Sequence, residues 1–197
     1  RTFWEVDSRA VARNETWIKF EKGGEFRRWY GGGMFVAKWT DASRKEYARH
    51  GGLSNSKFWN REGVTWATLT SGTKSFRLKP ADSEYASVSP TLFSDCESQL
   101  RESLALLNSR PVEWLVGILN PTLALNPGDV LRLPVPVTAP IPVVVVNKLI
   151  AIASRDWDSF EISWDFQSLP LLTASSGLSP TLESSYTAWI TQNRDTI

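Results

Sequence analysis

Residues 22–32 read Lys-Gly-Gly-Glu-Phe-Arg-Arg-Trp-Tyr-Gly-Gly, a short run in which cations and flat rings are bracketed by glycines. Guanidinium groups pair with phosphates or with base edges, and aromatic rings stack on bases, so these side chains suit a nucleic-acid surface. The same chemistry recurs nearby. Lys22, Arg27, Arg28, Lys38, Arg44, Lys57, Arg61, Lys74 and Arg77 lie on or beside two predicted hairpins, and Trp29, Tyr30 and Trp66 add rings. Most of the cations are expected on phosphates, where they set register, and a few at base edges. Alternation along a strand sends Trp29 and Tyr30 to opposite faces, so one of the two is expected in the core.

Other chemistries find little support. Cys96 is the only cysteine and His50 the only histidine, which excludes an intrachain disulfide, a cysteine zinc cluster and a two-histidine metal site. Gly31, Gly32 and Gly33 lead into Met-Phe-Val and not into a phosphate-binding loop, so they read as turn glycines. Asp156, Asp158, Glu161 and Asp165 have the oxygen donors Mg²⁺ takes, but between Trp157 and Trp164 they read as the solvated face of an acidic helix. No catalytic, metal or cofactor-binding residue is assigned.

The formal net charge of +1 hides a division. Residues 1–80 hold 16 Lys and Arg against 8 Asp and Glu, whereas residues 81–197 hold 6 against 13. A basic half beside an acidic half is what a protein with one face on a polyanion shows. Six of the ten tryptophans lie in the basic half, as core fillers or stacking surfaces. The longest apolar run, residues 141–153, is interrupted by Asn147 and Lys148 and falls short of the roughly 20 apolar residues of a spanning helix. No membrane is expected as a partner, and the single cysteine fits the reducing cytoplasm. A first residue other than Met leads us to expect a piece of a longer protein.

These residues need elements to hold them. Period-two alternation over 16–20, and residues 25–30 and 34–39 around a glycine turn, predict strands and a hairpin. Residues 40–57 predict a helical turn and loop, and residues 64–70 and 75–78 a second hairpin around Ser71-Gly72. At Cys96 the period changes: Leu100, Leu104 and Leu107 share a helical face. Asn108 or Ser109 can cap a following helix with Pro111 in its first turn, which Asn120-Pro121 ends. Residues 123–125 and 130–137 read as extended, residues 143–153 as a buried helix, residues 167–179 as loop, and residues 180–194 as a last helix capped by Ser179. The expectation is an α+β fold with a mixed or antiparallel sheet and packed helices.

Several blocks are similar to a known family. Residues 22–32, Asn60-Arg61-Glu62-Gly63-Val64-Thr65-Trp66, Leu106-Leu107-Asn108-Ser109, Ile118-Leu119-Asn120-Pro121-Thr122 and Asp156-Trp157-Asp158-Ser159-Phe160-Glu161 resemble the C-terminal part of BREX-type adenine-specific DNA methyltransferases, relatives of type IIG restriction-modification enzymes. The stretch from Leu119 to Val135 also resembles the closing element of type I specificity domains. The resemblance implies a target-recognition domain over residues 1–137, then a connector and truncated C-terminal helical segment over residues 138–197. It implies double-stranded DNA as a partner and an N-terminal methyltransferase domain of the same parent chain, which would bind S-adenosylmethionine and methylate adenine. That domain's Asn/Asp-Pro-Pro-aromatic loop is not in this sequence, since Asn120-Pro121-Thr122 and Asn126-Pro127-Gly128 carry neither the second proline nor the ring.

Two functions of different class compete: sequence-specific recognition of duplex DNA for an adenine-N6 methyltransferase in phage defence, and a protein-interaction domain docking defence-system subunits or a phage DNA mimic. An independent enzyme has no catalytic constellation to support it.

Overall fold

The computed structural model describes residues 1–7, 9, 11, 16–135, 141–174 and 181–196. Among these, six strands form two three-stranded sheets, and seven helices complete an α+β fold. In the first sheet, β1 (Trp17–Glu21) lies between β2 (Phe35–Lys38) and β5 (Ser83–Tyr85), antiparallel to the former and parallel to the latter. The second is antiparallel: β3 (Gly63–Trp66) lies between β4 (Phe76–Lys79) and β6 (Thr91–Leu92). The outer edge of β2 is covered by the first residues of the chain, with Val36 N–H on Arg1 O and Phe3 N–H on Met34 O, both at 2.9 Å.

The hairpin expected at β3 and β4 forms, but the one expected through residues 25–30 does not. Strand β1 pairs directly with β2, Phe20 opposite Phe35, and residues 22–34 make an irregular excursion between them. Backbone geometry explains the difference. Gly23, Gly24, Gly31, Gly32 and Gly33 all have positive φ, as does Trp29 at 72°, a conformation no strand residue adopts. The excursion instead reaches the second sheet, where Trp29 N–H donates to Phe76 O and Trp29 O accepts from Leu78 N–H, each at 2.9 Å.

The main core lies between the second sheet and the helices. Val64, Trp66, Phe76 and Leu78 point to one face, and α2 (Glu97–Leu107) lays Leu100, Leu104 and Leu107 against it as the spacing predicted. Asn108 ties the layers together: its side chain accepts from Phe76 N–H at 3.1 Å and donates to Phe76 O at 2.8 Å. Ser109 caps α3 (Arg110–Leu119), accepting from Val112 N–H. Asn120 then stops it, donating to Ala124 O at 2.6 Å and to Asp129 at 2.7 Å.

The extended reading of residues 130–137 fails at its start. Pro127–Leu131 is a short helix, α4, because Asn126 and Asp129 form a capping box at its N-terminus. Val143–Trp157 forms α5, a helix despite its four valines, and buries Val146 in the main core. The helix ends at Trp157, so the acidic residues beyond it lie in turns, not on the helical face expected. A four-residue helix, α6 (Pro170–Thr173), falls in the predicted loop. Helix α7 (Leu182–Thr196) is capped by Thr181, whose hydroxyl accepts from Ser184 N–H at 3.1 Å. The Ser179 cap, the loop end at 175–179 and the proposed boundary at 137/138 lie outside the described residues.

Candidate nucleic-acid interface

Part of the charge division is resolved inside the fold. Arg27 pairs with Asp156 at 2.8 Å across 129 residues of sequence, and its guanidinium lies 5.0 Å from the Trp157 ring. Arg28 pairs with Glu113 of α3 at 2.9 Å, Arg61 with Asp95 at 2.6 Å, and Lys19 with Asp82 at 2.7 Å. Four cations of the basic half thus meet carboxylates of the acidic half. Arg27 and Arg28 therefore join the glycine-rich excursion to helices α5 and α3, and each keeps about 30% of its side chain exposed. Exposed pairs of this kind contribute about 0–1 kcal/mol, so a phosphate could compete for either guanidinium.

Two expected interface residues are inside the molecule. Trp66 is 3% exposed, packed on Phe76, with its indole N–H on Leu125 O at 2.9 Å. Strand alternation puts it on the helix-covered face of β3. Arg77 is 1% exposed, although its side chain leaves the opposite face of β4. That face is covered by the first sheet: Arg77 Nη2 donates to Gly23 O at 2.6 Å and to the buried Glu21 at 3.3 Å. Burial pushes the Glu21 carboxyl above its ordinary range, and Arg77 and then Lys79 pull it back. Neither Trp66 nor Arg77 can touch DNA in this fold.

Lys74 is half-buried and used locally. Its Nζ donates to Leu123 O at 2.7 Å, and burial holds its pKa below the usual lysine range. Trp29 and Tyr30 are both half-buried. Trp29 packs against the main core, and Tyr30 is turned towards Ser154 of α5, with burial and then Asp158 raising its pKa.

The remaining cations converge elsewhere. Lys22, Lys38 and Lys57 are exposed and make no ion pair among the described residues. Lys22 and Lys38 border one groove with Trp39. Arg44 of α1 (Asp41–Arg49) lies over Trp39 and Trp59, at 5.6 and 5.8 Å from the ring centroids, and also pairs with Asp41. From the groove, Tyr85 leads to Phe93, Phe93 stacks on Phe58 at 4.8 Å, and Lys57 Nζ sits 4.7 Å from the Phe58 ring. Lys22, Lys38, Arg44 and Lys57 are thus joined by a continuous set of rings. Trp17, Phe35, Trp59 and Phe93 belong to this surface; the sequence marks Trp17 and Trp59 only as two of the six tryptophans of the basic half, and gives no sign of Phe35 or Phe93. His50 is peripheral, with Nε2 2.9 Å from Glu46 on α1.

Metal chemistry gains nothing from the arrangement. Asp156 is engaged by Arg27, and Asp158 accepts from Ser163 and Ser154 hydroxyls. Among the described residues no three His, Cys, Asp or Glu side chains are grouped to hold a metal ion, and no helix is long and apolar enough to cross a membrane.

An α+β domain carrying an aromatic and cationic surface is the class these features define. No protein-family profile matches the chain. In an alignment of 190 positions that covers 91% of the chain, it is 32% identical to the adenine-specific methyltransferase PglX of Lacticaseibacillus casei (strain Zhang). Over 161 residues, 81% of its length, it is 27% identical to the adenine-specific methyltransferase BrxX of Escherichia coli O9:H4 (strain HS). The chain spans only 16% and 13% of the length of these two relatives.

Proposed function

We propose that this chain is the target-recognition part of a BREX-type adenine-specific DNA methyltransferase acting in phage defence in the cytoplasm, and that it reads double-stranded DNA. Residues 1–137 are the recognition domain, and residues 138–197 are the connector and C-terminal helices. The partner domain of the parent chain binds S-adenosylmethionine and transfers the methyl group; no residue of this chain is assigned to that step. The similarity to two adenine-specific methyltransferases supports the reading. The observation that carries the interface is the convergence of Lys22, Lys38, Arg44 and Lys57, three of them without an ion-pair partner among the described residues, on one ring-rich surface. Arg61, 5.8 Å from the Phe93 ring, adjoins it, and Arg61, Arg27 and Arg28 are secondary contacts whose carboxylate partners a phosphate must displace.

Replacing Lys22, Lys38 and Lys57 with alanine is expected to weaken duplex binding on every sequence. The slope of log K against log salt should fall by up to about 0.9 for each phosphate that is no longer neutralised. Fluorescence anisotropy at several salt concentrations checks this. An unchanged slope in a folded triple variant would move the interface away from this surface.

A second reading has its own support. Trp114 and Ile118, one turn apart on α3, are 68% and 57% exposed, and Leu131 of α4 is 80% exposed. Apolar side chains left in water suit protein docking, either to the parent chain or to another defence protein, and this does not compete with a DNA surface elsewhere.

A further inference from the structure

A groove of about 380 Å³ opens among β1, β2, β5 and the chain following α1. Its walls are rings: Phe20, Phe35, Trp39, Tyr47 and Tyr85 line it. Its charges are all of one sign, with Arg1, Lys22 and Lys38 on the lining and no carboxylate among the lining residues. Two of these cations already sit on rings, Lys22 Nζ at 5.3 Å from the Phe35 centroid and the Arg1 guanidinium at 5.7 Å from that of Trp17. A ligand complementary to this lining is flat and aromatic at one end and anionic at the other. The volume falls in the range of small-molecule sites, about 300–1,000 Å³. A nucleotide has that shape and charge, but within a duplex both faces of its base are covered by neighbours. Only a base out of the stack can enter. An acidic peptide shares the charge, yet it gains most from pairing its backbone with a free strand edge. The outer edge of β2 is already occupied by residues 1–3.

We propose that this groove holds an unpaired nucleotide, its base against the rings of Phe35 and Tyr85 and its phosphate on Lys22 and Lys38. The proposal rests on the duplex-DNA reading for its source of nucleotides and adds that the chain engages a base removed from the helix, at a site separate from the one where the partner domain methylates its target.

The test titrates the 197-residue chain with a labelled oligothymidylate, an abasic oligonucleotide of equal length and a blunt duplex. Oligothymidylate is expected to bind about 5- to 150-fold more tightly than the abasic strand, the stacking contribution of one base. Phe35→Leu and Tyr85→Leu, which keep apolar bulk and remove a ring, are expected to abolish that difference and to leave the phosphate-driven affinity for the abasic strand unchanged. Lys38→Glu, at an exposed position, is expected to weaken both single strands. Circular dichroism and melting must first match the unsubstituted chain; Lys38→Glu keeps the test open if a ring variant fails to fold. Equal affinity for the abasic and base-bearing strands would overturn the proposal. So would ring-dependent binding of a glutamate-rich tyrosine peptide without binding of oligothymidylate, which assigns the groove to a protein. Ring-dependent single-strand binding without duplex binding would uphold the groove and overturn the duplex-recognition reading instead.

Discussion

Arg77→Met is expected to destabilise the fold by about 3–5 kcal/mol, the cost of removing one member of a buried ion pair. Arg77 and Glu21 are 1% and 3% exposed and pin the second sheet to the first. Without the guanidinium, Lys79 is the cation left to offset the Glu21 charge, in a site where burial already raises the carboxyl pKa. A carboxyl with a folded pKa above its unfolded value binds a proton more readily in the folded state. Raising the pH through that window therefore removes stability from the folded form. The variant should be least destabilised below the unfolded carboxyl pKa, about 4.3, and should lose stability as pH rises through its higher folded value. Urea denaturation followed by tryptophan fluorescence across this range measures both effects, and the double variant with Glu21→Gln should lose the pH dependence. A cost below about 1 kcal/mol would mean that the pair is solvated and the sheets are not joined through it.

Trp66→Ala should cost about 3–5 kcal/mol, as expected when a large buried ring leaves a cavity. Its indole fills the space between β3, Phe76 and the segment at Leu125, and its N–H satisfies the Leu125 carbonyl. Trp66→Phe retains most of the packing and loses the hydrogen bond, so a smaller loss of about 1–3 kcal/mol is expected. Duplex affinity of the folded Trp66→Phe protein should equal that of the unsubstituted chain, because the ring is inside. A Trp66→Phe variant that is fully stable but fails to bind DNA would return this residue to the interface.

Both residues show where a one-dimensional reading stops. The face of α2 is legible because Leu100, Leu104 and Leu107 repeat with the helical period, and the β3–β4 hairpin because its alternation surrounds a turn glycine. Alternation also puts Arg77 opposite Phe76 and Leu78, which in a single sheet means solvent. A second sheet covers that face, and nothing local to residues 76–79 announces it. The excursion at 22–34 departs from the hairpin pattern for a different reason: the glycines that suggest a turn between strands hold the backbone at positive φ at both ends of the segment, at Gly23, Gly24, Gly31, Gly32 and Gly33. The charge division is visible in the sequence, but its partial cancellation is not. Arg27 and Asp156 meet only after the chain between them has folded, and the same holds for Arg28 with Glu113. The exposed lysines Lys22, Lys38 and Lys57, and Arg44 lying over Trp39 and Trp59, are among the cations that composition and position single out. The rings that join them become apparent only when β1, β2, β5 and the 56–58 turn come together.

The most direct test of duplex recognition is selection of this chain on a pool of randomised double-stranded DNA at low salt, with the retained molecules sequenced. The expected result is enrichment of one short adenine-containing sequence, bound in a strongly salt-dependent way and lost when Lys22, Lys38 and Lys57 are replaced together. A folded chain that retains no duplex, or retains all duplexes alike with no enriched sequence, would contradict it.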